Sequence, residues 1–244
     1  MGVKRRAFLI GGAALVGGGL FAVKWADSSA MKRAGKLTAK EGESSFATWL
    51  KIGEDDGVTL YSPHIDFGQG SQTALAQMLA DELDADWTKV RVEHAPAETA
   101  FANTPLGQGF IAGGMAVPGF LAGMVKASFS MVARNYPLQL TGGSSAIRMT
   151  GQFGMRVVGA AARTALVAVA AKRLGVPVSE LATAESKVIH QKTGKVLRYG
   201  ELAREAAEMS LSLHPQLKER KDYKLIGKPV HRLDIPAKVD GSAK

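Results

Sequence analysis

"YSPHIDFGQGSQTALAQMLADEL", running from Tyr61 to Leu83, decides the fold. It begins as an alternating extended segment and turns at Gly68-Gln69-Gly70. It then continues as a helix, expected from Gly70 to Asp84, with Ala74, Leu75, Met78, Leu79 and Leu83 on one stripe. "TKVRVEHAP" after it reads as a strand, so the unit is strand, bare turn, helix, strand. Two glycines let the chain turn sharply and let a ligand reach the backbone. The helix start adds unpaired N–H groups and a positive dipole end, an arrangement suited to an anion. Gln69 contributes an amide that both donates and accepts. The motif by itself is weak, because a Gly-x-Gly turn between strand and helix is more often structural. It also lacks the third glycine of a dinucleotide fingerprint and the Gly-Lys-Ser/Thr of a phosphate loop.

Upstream, "TWLKIGEDDGVTLYS" sets two alternating segments around Asp55-Asp56-Gly57, and Asp-Gly predicts a tight hairpin turn over about residues 48 to 62. Downstream, residues 101 to 123 are glycine-rich and a helix over 121 to 134 is a weak expectation. Thr141-Gly142-Gly143-Ser144-Ser145, with Arg148 soon after, again places glycines before a helix. Here hydroxyls and a guanidinium could hold phosphate or pterin oxygens. The same string also suits a loop ending in an N-cap. Gln152 to Leu174 is alanine-rich and, if fully helical, about 35 Å long. Arg156, Arg163, Lys172 and Arg173 argue for a helix inside a protein core over a lipid-facing span. "ESKVIHQKTGKVLRYGEL" predicts a second hairpin over about 186 to 199, turning at Thr193-Gly194, before a short helix from Gly200 to Met209.

With 46% hydrophobic and 22% charged residues in 244, most of the chain is expected to be globular. The net charge of +9 is scattered, with no long basic run and no interleaved aromatics, which argues against nucleic acid as a partner. There is no cysteine, and so no disulfide, thiolate metal site or cysteine-held iron–sulfur cluster in this chain. The histidines at 64, 94, 190, 214 and 231 lack close ligand spacing, so no metal site is expected and they read as surface or turn residues. Asp66, Glu82 and Glu93 have no neighbouring motif marking them as catalytic, and no catalytic residue is assigned.

The start, "KRRAFLI", precedes an uncharged glycine-broken stretch from Ala7 to Val23, too short and glycine-weakened for a good spanning helix. Paired Arg5 and Arg6 ahead of Phe-Leu predict twin-arginine export, with a short membrane anchor as the alternative. Both place the body outside the cytoplasmic membrane, periplasmic or facing the periplasm. A route that carries folded proteins also leads one to expect a cofactor inserted before export.

Four segments, taken in order, carry a resemblance: "IDFGQGSQTALAQMLADELDADWTKVRVEHAP", "TGGSSAIRMTGQFGMRVVGAAARTALVAVAAKRLGV", "GKVLRYGELAREAA" and "KLIGKPVHRLDIPAKVDGSAK". Together they resemble the N-terminal part of molybdenum hydroxylase large subunits of the xanthine dehydrogenase and aldehyde oxidase family, isoquinoline 1-oxidoreductase beta-subunit type. The resemblance covers about residues 46 to 244. It implies a mixed α/β (α+β) portion of a molybdenum-cofactor-binding domain, with two β-hairpins and a long buried helix. It also implies a molybdopterin cofactor, in its cytosine dinucleotide form, and an iron–sulfur small subunit as partner, with a cytochrome as electron acceptor. Hydroxylation of an N-heterocycle or aldehyde with oxygen from water is the implied chemistry.

By position, Gly68, Gln69 and Gly70 match the turn near the cofactor, and Thr141, Gly142, Gly143, Ser144 and Ser145 match a second segment; Thr73 and Arg148 are added as contacts. The expected organisation is a signal or anchor over 1–30, a linker over 31–45, the cofactor-binding portion over 46–222, and a linker over 223–244 to a following domain. Family large subunits are about three times longer, and the glutamate base at molybdenum lies in a distal part that nothing here matches. The expected further partner is therefore the remaining C-terminal part of a split large subunit. A truncated product or a non-catalytic periplasmic binding module are the alternatives.

Overall fold

The computed structural model describes residues 32–38, 40–103, 141–212 and 214–243. Arg5 and Arg6, the glycine-rich stretch after residue 103 and the helix expected over 121–134 lie outside them. Four strands form the first sheet: β1 (Glu43–Ser45), β2 (Leu50–Gly53), β3 (Val58–Ser62) and β4 (Val90–His94), in that order. β1 lies within the stretch read as a linker. β2 and β3 are antiparallel about the Asp55-Asp56-Gly57 turn, where Asp56 takes the positive φ of 67°. β3 and β4 run parallel, with Val58 opposite Val90 and Ser62 opposite His94. A parallel pair needs a crossover, and helix α1 (Ser71–Leu83) supplies it. Every residue of β2 and β3 is buried, so these strands are sandwiched rather than half-exposed.

The long helix starts earlier than its composition suggests. It begins as α2 (Ser144–Thr150), passes through a π-helical turn at Gly151–Met155, and continues as α3 (Arg156–Leu174). Ser, Thr and Gly are weak helix formers, which is why residues 144–151 read as a loop. The π turn lies where Gly151 presses on α1: a Cβ there would be 2.0 Å from the sulfur of Met78. One turn into α3, a Cβ on Gly159 would lie 2.5 Å from the carbonyl oxygen of Leu79, so the two helix backbones nearly touch. By length and composition the Ser144–Leu174 run could cross a membrane, but 67% of its apolar window is buried inside the protein. It is a core helix, as its arginines indicate. Arg156 meets Glu82 at 2.6 Å and Arg163 meets Asp84 at 3.4 Å.

The second sheet is an antiparallel meander of β5 (Leu181–Ala184), β6 (Lys187–His190) and β7 (Val196–Arg198). The hairpin at Thr193-Gly194 is present, with Gly194 at φ 72°. A preceding one, turning on Glu185-Ser186 at φ 47° and 59°, carries no glycine and gave no sequence signal. Helix α4 (Tyr199–Ala207) follows, and its Tyr199 hydroxyl donates to the Leu83 carbonyl at 2.7 Å, tying the second sheet to the end of α1. A short α5 (Ile235–Val239) lies near the end of the chain.

Two of the five histidines are core residues rather than surface ones. His64 is fully buried and His190 is 7% exposed. His190 sits between Thr193 at 2.8 Å and Glu180 at 3.0 Å, which braces the second hairpin.

Candidate functional site

The turn after β3 is held from inside. Asp66 aims its carboxylate at the start of α1, where it accepts from the amides of Gly68 at 2.9 Å, Gly70 at 3.3 Å and Gln72 at 3.2 Å. Gly68 and Gly70 adopt φ of 112° and 77°, which an L side chain resists. The N–H groups that the sequence suggested for a ligand anion therefore point at the protein's own anion. Burial pushes the Asp66 carboxyl up, but the three amides and the nearby Arg232 charge outweigh this and hold it below the usual carboxylate range. Gln69 is also used locally: its Oε1 accepts from the Phe67 amide at 2.7 Å and its Nε2 donates to the Ile65 carbonyl at 2.8 Å. What the turn shows to solvent is Ile65, 63% exposed, and Phe67, 70% exposed.

The second segment is built differently. Gly143 is the N-cap of α2 and supplies no side-chain acceptor. Ser144, Ser145 and Arg148 are exposed, and none makes a side-chain hydrogen bond or ion pair among the described residues. A helix N-terminus left open, with two hydroxyls and a guanidinium nearby, can bind an anionic group.

The fold brings the two segments together. Thr141 Oγ1 accepts from the Ile65 amide at 3.1 Å, across 76 positions of sequence. Beneath it, His64 Nε2 lies 2.9 Å from Thr150 Oγ1 and 3.2 Å from Asn103 Nδ2, while Asn103 Nδ2 also donates to Thr150 Oγ1 at 3.0 Å. This buried cluster fastens the end of β3 to α2. Burial pushes the His64 pKa down, so the ring is neutral near pH 7. The role of His64 had no sequence signal, since its partners are 39 and 86 positions away.

Thr73 stands apart from the other candidates. It is 6% exposed, and its hydroxyl accepts from the Leu233 amide at 3.0 Å. Asp66, Gln72, His94, Leu233, Asp234 and Lys238 line a cleft of about 420 Å³ on that side. The remaining carboxylates flagged in the sequence form ion pairs, Glu82 with Arg156 and Glu93 with Lys40. Among the described residues no group of histidines and carboxylates could hold a metal ion.

Residues 11–117 match the model of the molybdopterin cofactor-binding domain, which includes the Gly68-Gln69-Gly70 turn. The beta subunit of isoquinoline 1-oxidoreductase of Brevundimonas diminuta is 30% identical over 253 aligned residues, covering 86% of this chain. The chain belongs to the family of molybdopterin-binding large subunits. Within that large-subunit family it is also similar to a nicotinate dehydrogenase subunit of Pseudomonas putida, at 27% identity over 84% of this chain. A membrane-bound aldehyde dehydrogenase (pyrroloquinoline-quinone) of Gluconacetobacter polyoxogenes is 28% identical over 83%. The chain spans less than a third of each relative: 29% of the first, 14% of the second and 22% of the third.

Proposed function

We propose that this chain forms one wall of a molybdopterin site in a molybdenum hydroxylase acting on an N-heterocycle or aldehyde. The observation that carries the reading is the Thr141–Ile65 hydrogen bond, which places the open α2 N-terminus beside the Gly68-Gln69-Gly70 turn. The residues present fit an anionic, hydrogen-bonding cofactor at α2. The amides at Ser144 and Ser145 have no side-chain cap, two hydroxyls are exposed, and Arg148 lies one turn on. They fit less well at α1, where Asp66 occupies the amides, so that turn would meet the cofactor through its outer face, including Ile65 and Phe67.

When bound, the cofactor supplies the metal centre at which a C–H carbon is hydroxylated with oxygen from water. This chain's residues would hold and orient the cofactor, and a partner would carry the iron–sulfur centres, since cysteine is absent here. The cytosine dinucleotide form, export through Arg5 and Arg6, and a periplasmic location belong to the same proposal.

The test is to purify the native protein with whatever it holds and to determine its subunits and metals. Molybdenum is expected only in an assembly that includes further large-subunit sequence. Stoichiometric molybdenum and hydroxylation by the isolated chain would reject the one-wall reading. In the assembled enzyme Gly70→Val is expected to lower metal content, because a β-branched residue resists φ 77° and distorts the turn. Full metal content in that variant would make the turn structural only.

A further inference from the structure

We propose that Arg232 is a positioning residue of the Gly68-Gln69-Gly70 turn, an inference that rests on the reading of this turn as cofactor-facing. Arg232 lies more than 160 positions from the turn, yet grips it twice. Its Nη1 donates to the Gly68 carbonyl at 3.1 Å and its Nη2 to Asp66 Oδ1 at 3.3 Å. The guanidinium is itself oriented by Asp234, through Nε to Oδ1 at 2.9 Å and Nη2 to Oδ2 at 2.6 Å. A planar fork fixed by one carboxylate has little freedom left in how it meets the second, which makes arginine the suitable residue here.

The consequence follows from where Asp66 points. Its side chain is 2% exposed and accepts from three amides of the turn and of α1's first residues. A buried carboxylate with donors on one side only would be drawn toward whichever of them is nearest. Arg232 supplies the balancing cation and simultaneously holds the Gly68 carbonyl, so both polar groups of the turn's first glycine are fixed. The orientation in which Ile65, Phe67 and Gln69 face outward is set by this clasp together with the local hydrogen bonds of Gln69.

A competing account is that the docked 232–234 segment supports the turn merely by covering it. That segment has an independent attachment, the Leu233 amide on Thr73 Oγ1, which separates the two accounts experimentally. Hydrogen exchange of the full chain, followed by mass spectrometry, would compare wild type with Arg232→Gln, Arg232→Lys and Thr73→Val. Arg232→Gln is expected to speed exchange over residues 65–72 by roughly tenfold, the size of effect that loss of one charge-assisted hydrogen bond gives. Arg232→Lys should restore part of the protection. Thr73→Val should leave the turn protected, and residues 156–170 serve as the control for intact folding.

Unchanged exchange over 65–72 in Arg232→Gln would overturn the proposal, as would equal loosening by Thr73→Val. In the assembled enzyme, Arg232→Gln should also lower molybdenum content. If Gly70→Val lowers the metal but Arg232→Gln does not, the positioning role is refuted. If neither does, the cofactor-facing reading fails instead, while the exchange data still report on the clasp.

Discussion

Two helices in this molecule begin side by side at glycine-rich turns, and they treat their first amides in opposite ways. At α1 the chain folds Asp66 back onto the amides of Gly68, Gly70 and Gln72 and backs it with Arg232. At α2 the N-cap is Gly143, and no side chain satisfies the helix start. A stable helix would favour the first arrangement, since a side-chain N-cap is typically worth about 1 kcal/mol. The difference teaches that similar sequence signatures, Gly-Gln-Gly and Gly-Gly-Ser, need not mean similar sites. One is closed by the protein itself, and the other remains available to something else.

Removing the internal anion should have the largest effect. Asp66→Ala strands three amides and leaves Arg232 with one partner fewer, and a loss of about 2 kcal/mol is expected, at the upper end for a cap. Urea unfolding of the full chain measures it. A loss near zero would mean that the α1 amides find other partners and that the contrast with α2 is superficial.

The converse substitution sharpens the comparison. Gly143→Asp places an acceptor at the empty cap, with φ −81° and open space around the new Cβ, and should stabilise the chain by about 1 kcal/mol. If the open start serves an anionic cofactor, the same variant should lower the molybdenum content of the assembled enzyme. Stabilisation without metal loss would show that α2 is merely uncapped.

Acid should separate the two supports by pH. His64 has a folded pKa below its unfolded value of about 6.5, so its contribution is present above that value and is lost as pH falls below it toward the folded pKa. Asp66 is also depressed, from about 3.9, so its contribution persists to lower pH and fades only as pH drops through the folded value. Stability measured from pH 7 to 3 should therefore decline first through His64, and a His64→Gln variant should lack that early phase. An unchanged profile would remove His64 from the link between β3 and α2.

The smallest effect on folding is expected at Arg148. Arg148→Gln should change stability by less than about 0.5 kcal/mol, as usual for an exposed side chain, while reducing metal content in the assembled enzyme.

How legible this was in the sequence depended on range. The β3–α1–β4 unit, the Asp-Gly turn and the buried long helix follow from periodicity and turn chemistry within short windows, and the structure contains each of them. The Glu185-Ser186 turn was missed because its positive φ values fall on residues that do not advertise them. The early start of α2 was missed because Ser, Thr and Gly are weak helix formers, and tertiary contacts override that preference. At the candidate site the residue types were legible but their states were not. Nothing local shows that Asp66 would occupy the amides of its own turn, that Thr73 would face residue 233, or that His64 would be buried against Thr150. Those facts are set by partners dozens to hundreds of positions away.

The far end of α1 has a consequence for how the protein is made. Asp81 and Glu82 are fully buried, and Asp81 accepts from the amides of Lys224, Leu225 and Ile226, while Glu82 accepts from Arg156 and the Lys218 amide. Asp84 adds Lys218 and Lys224 at 2.8 and 2.7 Å. During synthesis at about 5–20 residues per second, α1 emerges several seconds before most of these partners do. Until then its carboxylates can only remain in water, because burying them unpaired is too costly. The growing chain can therefore form its first sheet early, but α1 cannot seat its C-terminal turn until residues 218–226 have left the ribosome. The last step of folding is thus timed by translation, and a nascent chain halted before residue 218 would be held open by its own charges.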